Sequence, residues 1–332
     1  MLGFDSGGIA VDMHSKIPIV ILAGSDRRAG AVPSGAEDFH FIVAYKGAEL
    51  RVGNRLLIQE LLDRVRDSDA FGEIYVAGPK RVFESLVDCQ IIDTDGTVGD
   101  NVRVAMEHVL AVHGDDARIA FLSCDVLPSP AELSDLMACL SIREGDREQD
   151  QSAPALAIAL VLVPPELGAS VWKPKYVIRI DDDEHPVPCL PGHLGVAYPK
   201  KLRTGLLFRC IELVYRERNR DYEQRRRDIV LRLMGVLLWR DFLNLLRFRP
   251  PTLAYSAVRY GLGAFVAWRK NELTIEMLAT GFEKMIVRRQ FHRRPASGSV
   301  RIAVTPHFSF AQDIDTREEL EEIERGLGEA AE

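Results

Sequence analysis

From Ile17 to about Leu140 the chain alternates short β-branched runs with longer segments of helical periodicity, and this restricts the fold more than any other feature. A strand, a helix and a following strand joined in this order become neighbours in a parallel sheet, with the helix packed on its face. The pattern predicts strands at Ile17–Ala23, Glu73–Ala77, Gln90–Ile92 and Arg118–Ser123. Helices are predicted between them, at about Arg55–Arg66, Asp100–Val112 and Ala131–Leu140, the last entered just after Pro130. The fold class is therefore α/β, a mostly parallel sheet flanked by helices.

Beyond Leu140 the regularity loosens. Glu144–Ser152 (EGDREQDQS) has no apolar residue and reads as a solvated loop. Ala155–Val163 and Tyr176–Ile180 read as further strands of the same sheet, and Ser299–Val304 with Arg317–Leu327 as a closing strand and helix. From Lys200 to about Val287 the pattern is helical, broken at Pro250-Pro251. The expected organisation is one domain over 1–332, with a core at 17–199 and 299–327 and a C-terminal helical elaboration inserted at about 200–287.

Charge and cysteine usage exclude several classes. A formal charge of −7 over 332 residues argues against a general nucleic-acid binder, because phosphate backbones are held by excess Lys and Arg. The five cysteines lie far apart with no CxxC pair, so neither a disulfide framework nor a zinc site is expected. The first residues lack a signal-peptide pattern, and the apolar stretches around IVLRLMGVLLW and LAYSAVRYGLGAFVAW are interrupted by Arg232 and Arg259. A cytoplasmic enzyme with buried or interfacial helices is the expectation.

Four segments carry chemistry. Leu22–Gly30 (LAGSDRRAG) follows the first strand with small residues that let backbone N–H groups face an anion. Read alone, an ordinary turn and a phosphate cradle fit it equally well. Lys46 then opens KGAELRVGNRLLIQELLDRV, a lysine ahead of a short strand, a Gly-Asn turn and an amphipathic helix. Asp125 stands at the end of an apolar strand in FLSCDVLPSPAEL, where a carboxylate can meet a metal at the carboxyl edge of a sheet. DIDTREELEEIE follows the last strand and supplies Asp313 and Asp315.

In this order the segments resemble the nucleotidyltransferases related to molybdenum cofactor guanylyltransferase (MobA-like NTP transferases) and to sugar-phosphate and alcohol-phosphate nucleotidyltransferases. Gly24, Arg28 and Gly30 match the first family element; Lys46 with Gly53, Leu56 and Leu57 the second; Asp125 with Pro128 the third; Asp315 with Thr316 and Leu320 the fourth. Asp95–Asn101 (DGTVGDN) is similar to the family's base-recognition loop, and Pro191–Pro199 loosely resembles its acceptor strand. The resemblance implies a GT-A-type, Rossmann-like fold of the nucleotide-diphospho-sugar transferase type. It implies transfer of a nucleoside monophosphate from an NTP to a phosphorylated or hydroxyl acceptor, with release of pyrophosphate. Lys46, Arg28 and Asp125 would then be catalytic, and Asp125 and Asp315 would hold Mg²⁺, or Mn²⁺ in its place. Leu22, Ala23, Gly24, Ser25, Gly30, Gly96, Thr97 and Asn101 would bind the nucleotide.

The chain also departs from that pattern. Ser25 replaces the second glycine of LAGG, fifteen residues separate Gly30 from Lys46, and Asp125 lies one residue further from its proline than is usual in the family. A catalytically impaired nucleotide-binding relative is one alternative. A GT-A-type glycosyltransferase is the other, although it would carry a DxD after the central strand where this chain has Asp-Val-Leu. Singly, Lys46 and Arg28 fit solvated charges as well, and His193 fits a structural role better than an acceptor contact. Thr316 with Glu319 reads as a capping box that leaves Asp315 facing the site. The acceptor is expected to be small and anionic or lipid-linked. The helical block bears ten arginines between Tyr215 and Pro250, including Arg225, Arg226 and Arg227. These fit a solvated helix face or a peripheral contact with an anionic membrane.

Overall fold

A computed structural model describes residues 16–24, 42, 45–140, 153–164, 175–180, 185–217, 222–248 and 250–329. The side chains at 216, 217, 222–227, 297 and 326–329 lie outside that description. The chain begins with β1 (Ile19–Leu22), the turn α1 (Lys46–Glu49), a hairpin of β2 (Arg51–Val52) and β3 (Arg55–Leu56), and α2 (Leu57–Asp67). It continues through β4 (Ile74–Gly78), α3 (Lys80–Phe83), β5 (Gln90–Asp93), α4 (Val98–His113), β6 (Ile119–Ser123) and α5 (Pro130–Leu140). Then follow β7 (Leu156–Leu162), β8 (Tyr176–Ile178), β9 (Val187–Ala197), the helices α6 (Thr204–Glu217), α7 (Tyr222–Leu246), α8 (Leu253–Arg269) and α9 (Ile275–Ile286), β10 (Val300–Thr305) and α10 (Arg317–Glu329).

The strands form one eight-stranded sheet in the order β10-β7-β9-β6-β1-β4-β5, with β8 paired to β9. β1 is parallel to both β4 and β6, β4 to β5, and β7 to β10, while β9 runs antiparallel between β6 and β7. The α/β fold class read from the sequence, a mostly parallel mixed sheet flanked by helices, is the observed architecture. IVIL at β1 has no polar alternation because helices cover both faces of a central parallel strand.

One core lies between the sheet and α2 with α5, where Leu57, Ile58, Leu61, Leu62 and Val65 give α2 a buried stripe at helical spacing. The other face packs on α4 and α9 through Ala105, Met106, Val109, Ala279 and Ile286. A small third cluster, Leu206, Leu237, Leu253 and Ala254, ties α6, α7 and α8 together. Burying a leucine of this kind contributes about 2 kcal/mol, so each helix is fixed mainly by its apolar stripe.

Several boundaries differ from expectation for local reasons. The second helix begins at Leu57 because Arg55 and Leu56 pair with Val52 and Arg51 across Gly53, whose φ of +59° suits glycine. α4 begins at Val98 because the Thr97 hydroxyl accepts the Asp100 N–H and caps it. β9 starts at Val187 and tolerates Pro191, which has no N–H, beside a register shift against β7.

Candidate active site

β1 and β6 are neighbours, and the chain leaves β1 towards β4 on one side while β6 leads towards the β9 side. The crevice at their carboxyl ends is where open α/β sheets bind ligands. Asp125 emerges there from β6, two residues past Ser123, and the Cys124 N–H still bonds to Leu22 O of β1 at 3.1 Å. The segment after β10 returns to the same edge: Ile314 N–H donates to Asp125 O at 2.9 Å, and Ile42 N–H to Asp315 O at 2.9 Å. Thr316 and Glu319 form the expected capping box, with Glu319 N–H donating to Thr316 Oγ1 at 3.2 Å and Thr316 N–H to Glu319 Oε2 at 3.0 Å. Asp315 is thereby held at the entry of α10 with its carboxylate on the site.

Lys46, first residue of α1, projects between these carboxylates. Its ammonium donates to Asp315 Oδ1 at 2.5 Å and to Asp125 Oδ2 at 3.0 Å, while its side chain is 8% exposed. Burial alone would lower the lysine pKa, but the charges of Asp125 and Asp315 outweigh it and raise the pKa above the ordinary lysine range. The same pairing holds Asp125 below the usual carboxylate range against its own desolvation, assisted by His193 and by a hydrogen bond from the Ser123 hydroxyl. Asp315 is likewise lowered: desolvation and the neighbouring Asp125 oppose the shift, and Lys46 prevails.

Asp313 joins this group. Carboxylate oxygens of Asp125, Asp313 and Asp315 all lie within 4.8 Å of one another, and His193 Nε2 is 4.0 Å from Asp313. The donor set is all oxygen and carboxylate, which suits a hard cation such as Mg²⁺. Two carboxylates share one ammonium, so the pair keeps excess negative charge to offer such a cation.

Across the crevice the loop after β5 forms the other wall. Asn101 accepts from Thr94 Oγ1 at 2.8 Å and from Gly96 N–H at 2.9 Å, pinning that loop to α4. A Cβ on Gly24 would stand 2.6 Å from Asn101 Nδ2, so the chain leaving β1 passes close against this wall and a larger residue there would have to displace the Asn101 amide. At the rim Tyr45 donates to Asp95 at 3.0 Å and receives an Arg81 N–H at 2.8 Å, which couples the Lys46 turn to the same loop.

Between the walls lies a cavity of about 490 Å³. Leu22, Gly24, Lys46, Gly96, Asn101 and Asp125 all line it. The structure thus brings six of the sequence-nominated positions together, with Asp315 bonded to one of them. Ala23 stands apart from the lining, fully buried with its N–H bonded to Ala77 O, and Thr97 serves as the α4 cap. Ser25, Arg28 and Gly30 lie outside the described residues.

Three further residues reach the site beyond those to which the resemblance gives a role. Asp313 was visible only as part of DID, and His193 is placed by β9 against Asp313. Tyr215 comes from α6 and lines the cavity; desolvation followed by the charges of Asp125, Asp313 and Asp315 raises its phenol above the ordinary range, with the residue as a whole still 38% exposed. No motif marks Tyr215; its proximity depends on how α6 packs.

No protein-family model and no curated protein matches the sequence. Among solved structures the chain is similar to CMP:2-keto-3-deoxy-manno-octonic acid synthetase complexed with CTP, at 13% identity and a TM-score of 0.46, covering 95% of this chain and 100% of that chain. It is similar to 4-diphosphocytidyl-2C-methyl-D-erythritol synthase at 12% identity and a TM-score of 0.35, over 59% of this chain and 78% of that chain. The corresponding synthase from Anaerococcus prevotii DSM 20548 gives 12% identity and a TM-score of 0.41, over 95% of this chain and 99% of that chain. Likeness at this level assigns no activity, which has to rest on the groups in the crevice.

Proposed function

We propose that this chain is a nucleotidyltransferase, transferring a nucleoside monophosphate from an NTP to a phosphorylated or hydroxyl acceptor and releasing pyrophosphate. The observation that carries the reading is the meeting of Lys46, Asp125 and Asp315 at the carboxyl edge of the sheet, facing a loop wall built from Gly24, Gly96 and Asn101. In the reaction an acceptor oxygen forms a bond to the α-phosphorus, the bond to the bridging oxygen breaks, and pyrophosphate leaves with the electron pair. Such chemistry needs positioning and charge neutralisation rather than a covalent nucleophile.

The loop wall takes the base and ribose, with Asn101 holding it in shape. Arg28 and the backbone of Ser25–Gly30 take the β and γ phosphates, a role supported by their sequence pattern. Two of the three N–H groups of Lys46 bond to Asp125 and Asp315, and the third is available to an α-phosphate oxygen. Asp125 and Asp315, with Asp313 beside them, are the residues that would hold Mg²⁺ or Mn²⁺, which when bound supplies charge neutralisation on the phosphates.

The acceptor is anionic or lipid-linked, and the Arg-rich helices supply peripheral contact with an anionic membrane. Supporting this are exposed Trp239, Phe242, Leu245, Leu246 and Phe248 on and just after α7, and the arginine excess of the same segment. Among the described residues no helix is long and apolar enough to cross a membrane. The deciding experiment is pyrophosphate release measured with each NTP and Mg²⁺ across a panel of phosphorylated acceptors. NTP titrations showing neither binding nor pyrophosphate release would end the assignment.

A further inference from the structure

The cavity changes character along its length. Its charged groups and most of its polar ones, Lys46, Ser123, Asp125, His193 and Asn101, belong to the carboxyl edge and the loop wall. Along β9 the register runs from His193, just past the Leu122–Leu194 pair, down to Ala197 opposite Ile119. That is four residues, or about 13 Å at the rise of a strand. Phe121 and Ile158 pair with Gly195 in this stretch, and Met106 from α4, Ile211 from α6 and Phe282 from α9 are further apolar residues of the cavity lining.

Room for this compartment comes from one place in the sheet. Gly195 pairs with Phe121 on one side and with Ile158 on the other, so no side chain fills the strip between two large neighbours. Ala197, two residues on and on the same face, is also small. The cavity as a whole, at about 490 Å³, falls in the range of ligand pockets, about 300–1,000 Å³.

Taking the nucleotidyltransferase reading as its basis, we propose that the acceptor is an amphiphile: a phosphate or hydroxyl head at the Lys46–Asp125–Asp315 end and an apolar group seated between α4, α6, α9 and the Gly195 strip. A polyol acceptor placed there would leave hydroxyls without partners, each costing about tenfold in affinity. An alkyl, isoprenoid or aromatic group instead gains from every methylene removed from water.

The test uses n-alkyl monophosphates from butyl to decyl, kept below their micelle-forming concentrations, against glycerol 3-phosphate, with the full chain, Mg²⁺ and an NTP established by separate titration. Calorimetry is expected to show affinity rising about fourfold per methylene until the compartment is filled, with glycerol 3-phosphate weakest. Ile211→Trp, and independently Phe282→Trp, should flatten the series while NTP affinity stays near wild type and thermal unfolding stays cooperative. Alkyl phosphates that bind no better than glycerol 3-phosphate, in a protein that still binds NTP, overturn the amphiphile and leave nucleotidyl transfer standing. A chain-length series without NTP binding or pyrophosphate release overturns nucleotidyl transfer, and the acceptor role with it.

Discussion

The ammonium of Lys46 lies 2.5 Å from a carboxylate oxygen of Asp315, a residue 269 positions further along the chain. This contact closes the site, because it joins the turn after β1 to the entry of α10 beside the end of β6. Lys46 is at once a structural cation between two carboxylates and, among the described residues, the only lysine in the cavity lining. Its removal should therefore be felt in stability and in turnover, by separable routes.

For turnover, Lys46→Ala is expected to lower kcat by at least about 100-fold and to change NTP affinity by less than about fivefold, since a group acting on charge that builds during the reaction affects the transition state most. Steady-state kinetics beside NTP titration separates the two. Equal losses in kcat and affinity would make Lys46 a ground-state phosphate contact.

For stability, Lys46→Met leaves Asp125 and Asp315 facing each other without a cation, at side-chain exposures of 15% and 22%. Losing one partner from so enclosed a group costs about 3 kcal/mol. In chelator the variant should melt well below wild type, and millimolar Mg²⁺ should restore more stability to the variant than it adds to wild type. An identical response to Mg²⁺ in both proteins would disconnect the carboxylates from cation binding.

Asp125→Asn keeps the shape of the side chain but removes its charge. Pyrophosphate release should fall by at least about 100-fold while circular dichroism and cooperative unfolding persist. Turnover near wild type would remove Asp125 from the machinery.

The carboxylates also set a pH dependence. Asp125 and Asp315 are held below the ordinary carboxylate value of 3.8 because Lys46 outweighs their desolvation. The folded state therefore binds fewer protons than the unfolded chain, and their contribution is complete above about pH 5 and lost as pH falls through their depressed values. The raised Lys46 value acts at the other end: its contribution is complete below about pH 10 and declines only above it. The difference in thermal midpoint between wild type and Asp315→Asn should be constant from pH 5 to 8 and shrink towards pH 3. A gap that widened on acidification would mean that the folded carboxylates take up protons more readily than the unfolded ones, the opposite of a pairing with Lys46.

How much of this was legible in the sequence follows from the range of each interaction. Strands β1, β4, β5 and β6 announce themselves by local apolar runs, and Thr316 with Glu319 by a spacing of three residues. Lys46, Asp125 and Asp315 were readable as an ordered set through a family resemblance, although nothing local states that they touch. The sequence favours a structural role for His193 over an acceptor contact and carries no motif at Tyr215, because β9 reaches the edge by running antiparallel between β6 and β7, and α6 by packing on α4. Helical periodicity says that α6 has an apolar face; it does not say that the face lines a cavity. The β2–β3 hairpin was hidden for a related reason, since Arg55 and Leu56 fit the start of an amphipathic helix as well as they fit a strand.

On α7 and α8, large apolar side chains face solvent. Trp239 stacks on Phe242 with ring centroids 5.6 Å apart and both exposed, and Phe248 is 99% exposed. Tyr255, Val258 and Leu262 add an exposed apolar row on α8. Exposed apolar side chains in such number fit the interaction surface proposed above. The bilayer contact proposed above rests on the sequence of this segment, with ten arginines against five acidic residues between Tyr215 and Pro250 in a chain of net charge −7. Each basic group near such a surface contributes about 1 kcal/mol. The protein should co-sediment with vesicles rich in phosphatidylserine at low salt, and far less with phosphatidylcholine vesicles or in about 0.5 M salt, a contrast of about tenfold or more. Arg225→Ala, Arg226→Ala and Arg227→Ala together should weaken the salt-sensitive part, and Trp239→Ser with Phe248→Ser the part that persists in salt. Protein that stays in the supernatant with anionic vesicles, and is dimeric by light scattering, would assign this face to a second copy of the chain instead.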